Sequence, residues 1–185
     1  MNETLKAIAD RYSCRKFKAQ PIADDLLKEI ALAGVQAPSA HNWQPWQIIV
    51  VTNPELLGDL ESEALAGLKR QANQGNYNYV MQLGGNVFYG APCLMIVAMD
   101  TKYKSAALDC GIVSQSIVMA ATSLGIDSVY CGFTYQAFNG PRAQEFKDRL
   151  GLPQGYDFAC SILLGYGDKT KAPHTPNLNK ITYLK

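Results

Sequence analysis

From Ala106 to Leu124 the sequence reads AALDCGIVSQSIVMAATSL, with apolar residues at helical spacing and almost no polar face. A helix written this way has to be packed on several sides, and its many small residues let neighbours come close. Gly125 follows as its stop. Upstream, Cys93-Leu94-Met95-Ile96-Val97-Ala98-Met99 is continuously apolar, the pattern of a strand buried on both faces. A chain of 185 residues, 48% of them apolar, can enclose both in one domain, 1–185, without disulfide staples.

The other segments alternate helix and strand. Leu5, Ile8 and Ala9 recur at helical spacing, as do Leu26, Leu27, Ile30, Ala31 and Val35 after Pro21. Trp46 to Thr52 reads as a strand, and Asn53-Pro54-Glu55 as the start of a helix: a capping side chain, proline at the first helical position, an acid on the positive dipole end. Ile126 to Phe133 and Phe158 to Leu164 are further strands, Pro141 opens a helix, and Ile181 to Leu184 suits a last strand. The polar, tyrosine-bearing stretch from Gln71 to Gly85 is expected to be mobile or to face a substrate. No internal repeat or linker interrupts the chain.

A net charge of +1 provides no field for nucleic acid or an anionic membrane. The N-terminus lacks the apolar core of a signal peptide, and no run reaches the eighteen or so apolar residues of a membrane span. Five cysteines, odd in number and without a C-x-x-C pair, indicate a reducing compartment. These features describe a soluble cytoplasmic protein. There is no P-loop, G-x-S-x-G, H-E-x-x-H or complete dinucleotide-binding G-x-G-x-x-G. His41 and His174 are the only histidines, and both read as surface or loop residues, not metal ligands.

Two motifs carry chemistry. Arg11-Tyr12-Ser13-Cys14-Arg15 sets two guanidiniums and a hydroxyl at short range; if the segment is helical, Arg11 and Arg15 are one turn apart and face one ligand, suited to a phosphate monoester. Spacing alone favours two ordinary solvated charges at a helix end. The second motif, Ala37-Pro38-Ser39-Ala40-His41-Asn42-Trp43-Gln44-Pro45-Trp46, puts amides and a hydroxyl in a loop directly before a strand, where Asn42 and Gln44 can pair with the edge of a flat polar ligand. Trp43 and Trp46 are expected to pack in the core.

Together the two motifs resemble the paired signatures of the nitroreductase family, FMN-dependent oxidoreductases that take hydride from NADH or NADPH. Asp109-Cys110-Gly111 with the following helix, Tyr130-Cys131-Gly132-Phe133 and Leu164-Gly165-Tyr166-Gly167 extend the resemblance over nearly the whole chain. It implies an α+β fold, a three-layer α/β/α sandwich with a mixed central sheet of about five strands, assembled as an interlocked homodimer. It also implies FMN contacts at Arg11, Tyr12, Ser13 and Arg15, the last stabilising the reduced flavin electrostatically, and at Pro38, Ser39, Ala40 and Asn42 from the partner subunit. Cys131 and Gly132 match the turn that faces flavin N5. Asn179 or Lys180 stands where the family returns an arginine to the phosphate, and Tyr12 where a basic residue is usual. Asn86 is either a flavin contact or a turn-stabilising residue. The implied activity is ping-pong transfer to a nitroaromatic, a quinone or a related small acceptor, with the flavin carrying the chemistry and no protein nucleophile or metal needed. Two other readings stay open: a specialised reductase of the same fold acting on flavin or an enone, and a flavin-binding store or sensor.

Overall fold

The computed structural model describes residues 2–169 and 171–184. Helix α1, Glu3–Asp10, starts where the Asn2 side chain accepts the Leu5 N–H at 2.9 Å. Helix α2, Asp24–Val35, has Asp24 and Asp25 on its positive end and buries Leu27, Ile30 and Gly34. Strand β1, Trp46–Val51, leads into α3, Pro54–Arg70, where Asn53 caps Leu56 N–H at 2.9 Å and proline takes the first position, as the sequence reads. The polar stretch after it contains a helix, α4, Gly75–Gln82, anchored by the fully buried Val80.

Strand β2, Cys93–Asp100, and helix α5, Ala106–Ser123, occupy the two segments that the apolar pattern demanded. Gly125 ends the helix at φ 74°. By length and composition α5 could cross a bilayer, but here it packs against α2 and the sheet. Strand β3, Asp127–Tyr130, is shorter than expected: Ile126 is taken by the helix end, its N–H bonded to Ala121, and after Cys131 the chain turns into a 3-10 turn, Gly132–Thr134. Two short helices follow, α6 at Tyr135–Phe138 and α7 at Ala143–Arg149, then β4, Tyr156–Gly165.

The described sheet has four strands in the order β1-β2-β4-β3, and every pairing is antiparallel. The expectation of about five strands in a mixed sheet is corrected to this extent. Ile181–Leu184 forms no strand and lies exposed, because a strand exists only where its backbone groups find a partner. Side chains alternate across β2, so Leu94 and Ile96 enter one core with Leu60, Ala64, Leu68 and Val80, while Cys93, Met95 and Val97 enter another with Ile30, Val113, Ile117 and Val118. Helices thus flank both faces of the sheet.

The segment after α1 is extended, not helical. Cys14 N–H donates to Ser128 O at 3.0 Å, Phe17 N–H to Tyr89 O at 3.1 Å and Lys18 N–H to Tyr166 O at 2.8 Å, so residues 11–18 form a strap that pairs with the free edge of β3 at Ser128 and then crosses to the Tyr89 turn and the segment after β4. Cys14 and Phe17 turn inward and are buried. The strap closes on its far side through Asp127, which accepts the Gly167 N–H at 2.9 Å and lies against the Tyr12 hydroxyl.

Two outcomes are expected of this strap. A Cβ at Gly165 would stand 2.8 Å from both Phe17 Cδ1 and Pro92 Cδ, ring atoms with little room to retreat. Gly165→Ala should therefore cost about 1–3 kcal/mol, read as a lower urea midpoint at unchanged m-value. Burial first, and then the Asp127 carboxylate, hold the Tyr12 hydroxyl above its ordinary 10.0. Above pH 10 the unfolded chain releases that proton while the folded chain keeps it, so the stabilisation is complete below pH 10 and declines as pH rises. Denaturation across alkaline pH should show this decline, and Tyr12→Phe should flatten it.

Candidate functional site

Because the strap is extended, residues two apart share a face. Arg11, Ser13 and Arg15 therefore point together, not through the helical turn that their spacing suggested, and Cys14 between them goes to the core. These three and Tyr12 line a cleft of about 490 Å³ whose other wall is the tail segment with Lys171 and His174. Among the described residues no carboxylate lines it. The nearby acids are engaged elsewhere, Asp127 with Gly167 and Asp168 in an ion pair with Lys16 at 2.5 Å. Two guanidiniums, a hydroxyl, an ammonium and an imidazole around one opening suit a phosphate monoester, which asks for charge-assisted donors. Tyr12 is half-buried, and its hydroxyl donates to the Lys169 carbonyl at 3.3 Å.

Toward the sheet, the Arg15 guanidinium lies beside Tyr89. Burial raises the Tyr89 hydroxyl above its ordinary range, and the Arg15 charge offsets part of that rise. Tyr89 has φ 56° and sits in a turn closed by Asn86, whose Oδ1 accepts the Gly90 N–H at 3.0 Å, so Asn86 holds the turn. The turn after β3 is pinned by Ser161, whose hydroxyl donates to the Cys131 carbonyl at 2.9 Å and bonds Thr134 at the same distance. Cys131 is buried. Gly132 beside it is exposed, and a Cβ there would meet nothing within 4 Å, which leaves its backbone open to a flat ligand.

The Pro38–Asn42 set lies elsewhere. Its loop contains a 3-10 turn, Ala40–Asn42, and His41, Asn42 and Gln44 have φ of 49°, 56° and 47°. Left-handed backbone at non-glycine residues costs about 1 kcal/mol or more each and persists only when the surroundings impose it, most often at functional sites. The loop imposes much of it internally: Ser39 Oγ accepts the Gln44 N–H at 2.9 Å, and Gln44 Nε2 donates to Asn42 Oδ1 at 3.0 Å. Asp109 Oδ1 accepts the Ala40 N–H at 3.3 Å. Trp46 is buried as expected, whereas Trp43 is 45% exposed and stacks on Tyr103 at 4.6 Å, because the loop's backbone turns it away from the core.

One chain does not bring the two sets together. Ser13 pairs at Ser128, in the row of Leu164 and Cys93, while the loop enters β1 at Trp46, in the row of Met99. Six residues along the strands and three strands across separate these corners by about 25 Å. Asn179 and Lys180 lie in an exposed 3-10 turn, Leu178–Lys180, outside the cleft lining, and the described tail residues that do line the cleft are Lys171, Ala172, Pro173 and His174. Tyr89 beside Arg15 and Lys171 in the cleft wall go unmarked in the sequence, since no motif places them; for Lys171 the one signal was a positive charge shortly after Gly165-Tyr166-Gly167. Among the described residues no cluster of histidine, cysteine or carboxylate could hold a metal ion.

Residues 8–166 match the model of the Nitroreductase family. Over its full length the chain superimposes on a nitroreductase with bound FMN from Desulfitobacterium hafniense at TM-score 0.96, with 53% identity and both chains fully covered. A candidate NADH dehydrogenase/NAD(P)H nitroreductase from Archaeoglobus fulgidus is 30% identical over 90% of this chain and 86% of its own length. A 4-nitrobenzoate reductase from Pseudomonas putida is 29% identical over 88% and 84%.

Proposed function

The chain belongs to the nitroreductase family, and from that premise we propose that it works as a single-domain, FMN-dependent NAD(P)H oxidoreductase whose flavin sits between two copies. One observation carries the shared site: Arg11, Ser13 and Arg15 stand at one corner of the sheet, and Pro38, Ser39, Ala40 and Asn42 about 25 Å away at the opposite one. A two-fold axis between copies can set one corner of each against the other corner of its neighbour.

The donors present fit FMN. Arg11 and Ser13, with Tyr12 as their brace and Lys171 and His174 across the cleft, would take the phosphate and ribityl chain. Arg15 would meet the pyrimidine end, with Asn86 holding the adjoining turn, and Cys131 and Gly132 would offer backbone near N5. Asn42, Ser39, Ala40 and Pro38 would close the site from the second copy. Asn179 and Lys180 stand too far down the tail to line the cleft in one chain, and we assign them a contact only across the dimer. When bound, FMN supplies hydride acceptance from NADH or NADPH and its donation to an acceptor. The protein's part is to bind, orient and bias charge. A single exposed face serving reductant and acceptor in turn gives ping-pong exchange; the 4-nitrobenzoate reductase among the relatives supports a nitroaromatic as acceptor, with a quinone or a related small acceptor as the alternatives.

The dimer would also complete the sheet. In the described chain β1 has one unpaired edge, and the tail presents Leu178, Ile181, Tyr183 and Leu184 at 54–94% exposure. Ile181–Leu184 laid along β1 of the second copy makes a fifth strand and an interlocked, mixed sheet, and covers an edge that would otherwise invite aggregation. A groove beside α5, lined by Met99, Cys110, Gly111, Phe158 and Ala159, is apolar enough to be covered in the same interface. The five cysteines are all free thiols, which suits the cytoplasm.

The purified protein should be yellow, release FMN, oxidise NADH or NADPH when a quinone is supplied, and sediment as a dimer. Bound flavin with no turnover would favour the store or sensor, and a flavin-loaded monomer would remove the shared site. Arg15 interacts more strongly with anionic reduced flavin than with neutral oxidised flavin, and a charge-assisted bond is worth about 1.5–3 kcal/mol. Arg15→Ala should therefore lower the two-electron potential by roughly 30–65 mV. Arg11→Ala should weaken FMN binding with a much smaller shift, and potentiometric titration of both flavin-saturated variants separates the roles.

A further inference from the structure

We propose that Asp109 is a positioning residue for the flavin-contacting loop, acting through the Ala40 backbone and not by touching the cofactor. This rests on the FMN reading above and adds a residue to it. Asp109 sits in the first turn of α5, only 3% exposed, and its Oδ1 accepts the Ala40 N–H at 3.3 Å. Neither its Oδ2 nor the hydroxyl of Ser105, one helical turn earlier, has a hydrogen-bond partner among the described residues. No salt bridge reaches it there either. A carboxylate kept in such a place is expensive, and helix packing alone would be served better by an apolar side chain.

What the carboxylate holds is the loop. The other hydrogen bonds of residues 38–44 close within the loop: Asn42 N–H to Ser39 O, Trp43 N–H to Ala40 O, Gln44 N–H to Ser39 Oγ, Gln44 Nε2 to Asn42 Oδ1 and Trp46 N–H to Gln44 O. Such bonds fix the loop's shape but not its place. Among the described residues, the bond to Asp109 is the one hydrogen bond from this stretch to an element other than the adjoining β1, aided by the stacking of Trp43 on Tyr103. Ala40 begins the turn whose next two residues are left-handed, so an acceptor at its N–H sets the direction in which Ser39 and Asn42 are presented. The same helix that packs the core thereby aims the loop.

The test compares Asp109→Ala with Asp109→Asn in the flavin-loaded protein. Asparagine keeps an oxygen for the Ala40 N–H and alanine does not. Asp109→Ala should raise the FMN dissociation constant about tenfold, the equivalent of one hydrogen bond near 1.4 kcal/mol, and should change the tryptophan emission of the flavin-free protein as Trp43 leaves Tyr103. Asp109→Asn should stay within about threefold of wild type, with unchanged emission. Wild-type affinity and emission in Asp109→Ala overturns the proposal, and so does an equal loss in both variants, which would trace the effect to charge. If Asp109→Ala does not fold, Ala40→Pro removes the donor instead, at a position preceded by the extended Ser39 and at the start of a turn, where proline is tolerated. It should weaken FMN about tenfold with no further loss on adding Asp109→Asn, and an Ala40→Pro variant with wild-type affinity overturns the proposal. A wild-type protein that takes no FMN defeats the FMN reading separately, since the emission still reports the loop.

Discussion

Everything in this molecule is placed by the burial of β2 on both sides. Its residues from Leu94 to Ala98 are fully buried, and the alternation of their side chains splits the protein into two cores. A strand in this position must be paired on both edges, so β1 and β4 are obligatory neighbours, and the antiparallel register with each sets where their ends fall. The loop before β1 and the strap seated on Ser128 of β3 stand at opposite corners for that reason. The separation of the two motifs within one chain follows from backbone pairing, before any of their side chains is considered.

The strap at residues 11–18 shows how an edge can be made useful. Left bare, β3 would offer a row of unpaired backbone groups. Covered there by an extended segment, it acquires side chains at period two over residues 11–15, with Cys14 inward and Arg11, Ser13 and Arg15 outward, before the chain changes direction and buries Phe17 against the end of β4. The same backbone bonds that protect the edge thus preorganise the cationic cleft. The close approach of Phe17 to Gly165 and the tie of Gly167 to Asp127 hold it in register, so the backbone that carries the cations is already ordered.

The loop at residues 38–44 is built on the opposite principle. It stores left-handed backbone at His41, Asn42 and Gln44, stays largely exposed and makes most of its bonds to itself. Strain of this kind is retained where a ligand must be met by amides and hydroxyls in one arrangement. Its stiffness is local, and its placement depends on α5 through Asp109 and on the stacking of Trp43 upon Tyr103.

The amino-acid sequence by itself determined the elements whose cause is local. The all-round apolar period of α5, the unbroken apolar run of β2, the Asn53-Pro54 start of α3 and the Gly125 stop were legible because burial on every side, capping and left-handed turns each leave a fixed residue pattern. The two signature motifs were legible as well, down to the residues that line the cleft from the strap. What only the tertiary structure decided was relative position. The spacing of Arg11 and Arg15 reads as a helical turn until the β3 edge, by pairing with Cys14, makes the segment extended. Lys171 and His174 enter the cleft, and Asn179 and Lys180 do not, because the tail's course is set by the strap it crosses. Ile181–Leu184 has the composition of a strand and no strand to pair with in its own chain, and Asp109 looks like any acid at a helix start until folding places the Ala40 N–H against it. Local propensity and burial are written residue by residue, whereas pairing between segments far apart in the chain depends on surfaces that exist only once the chain has folded.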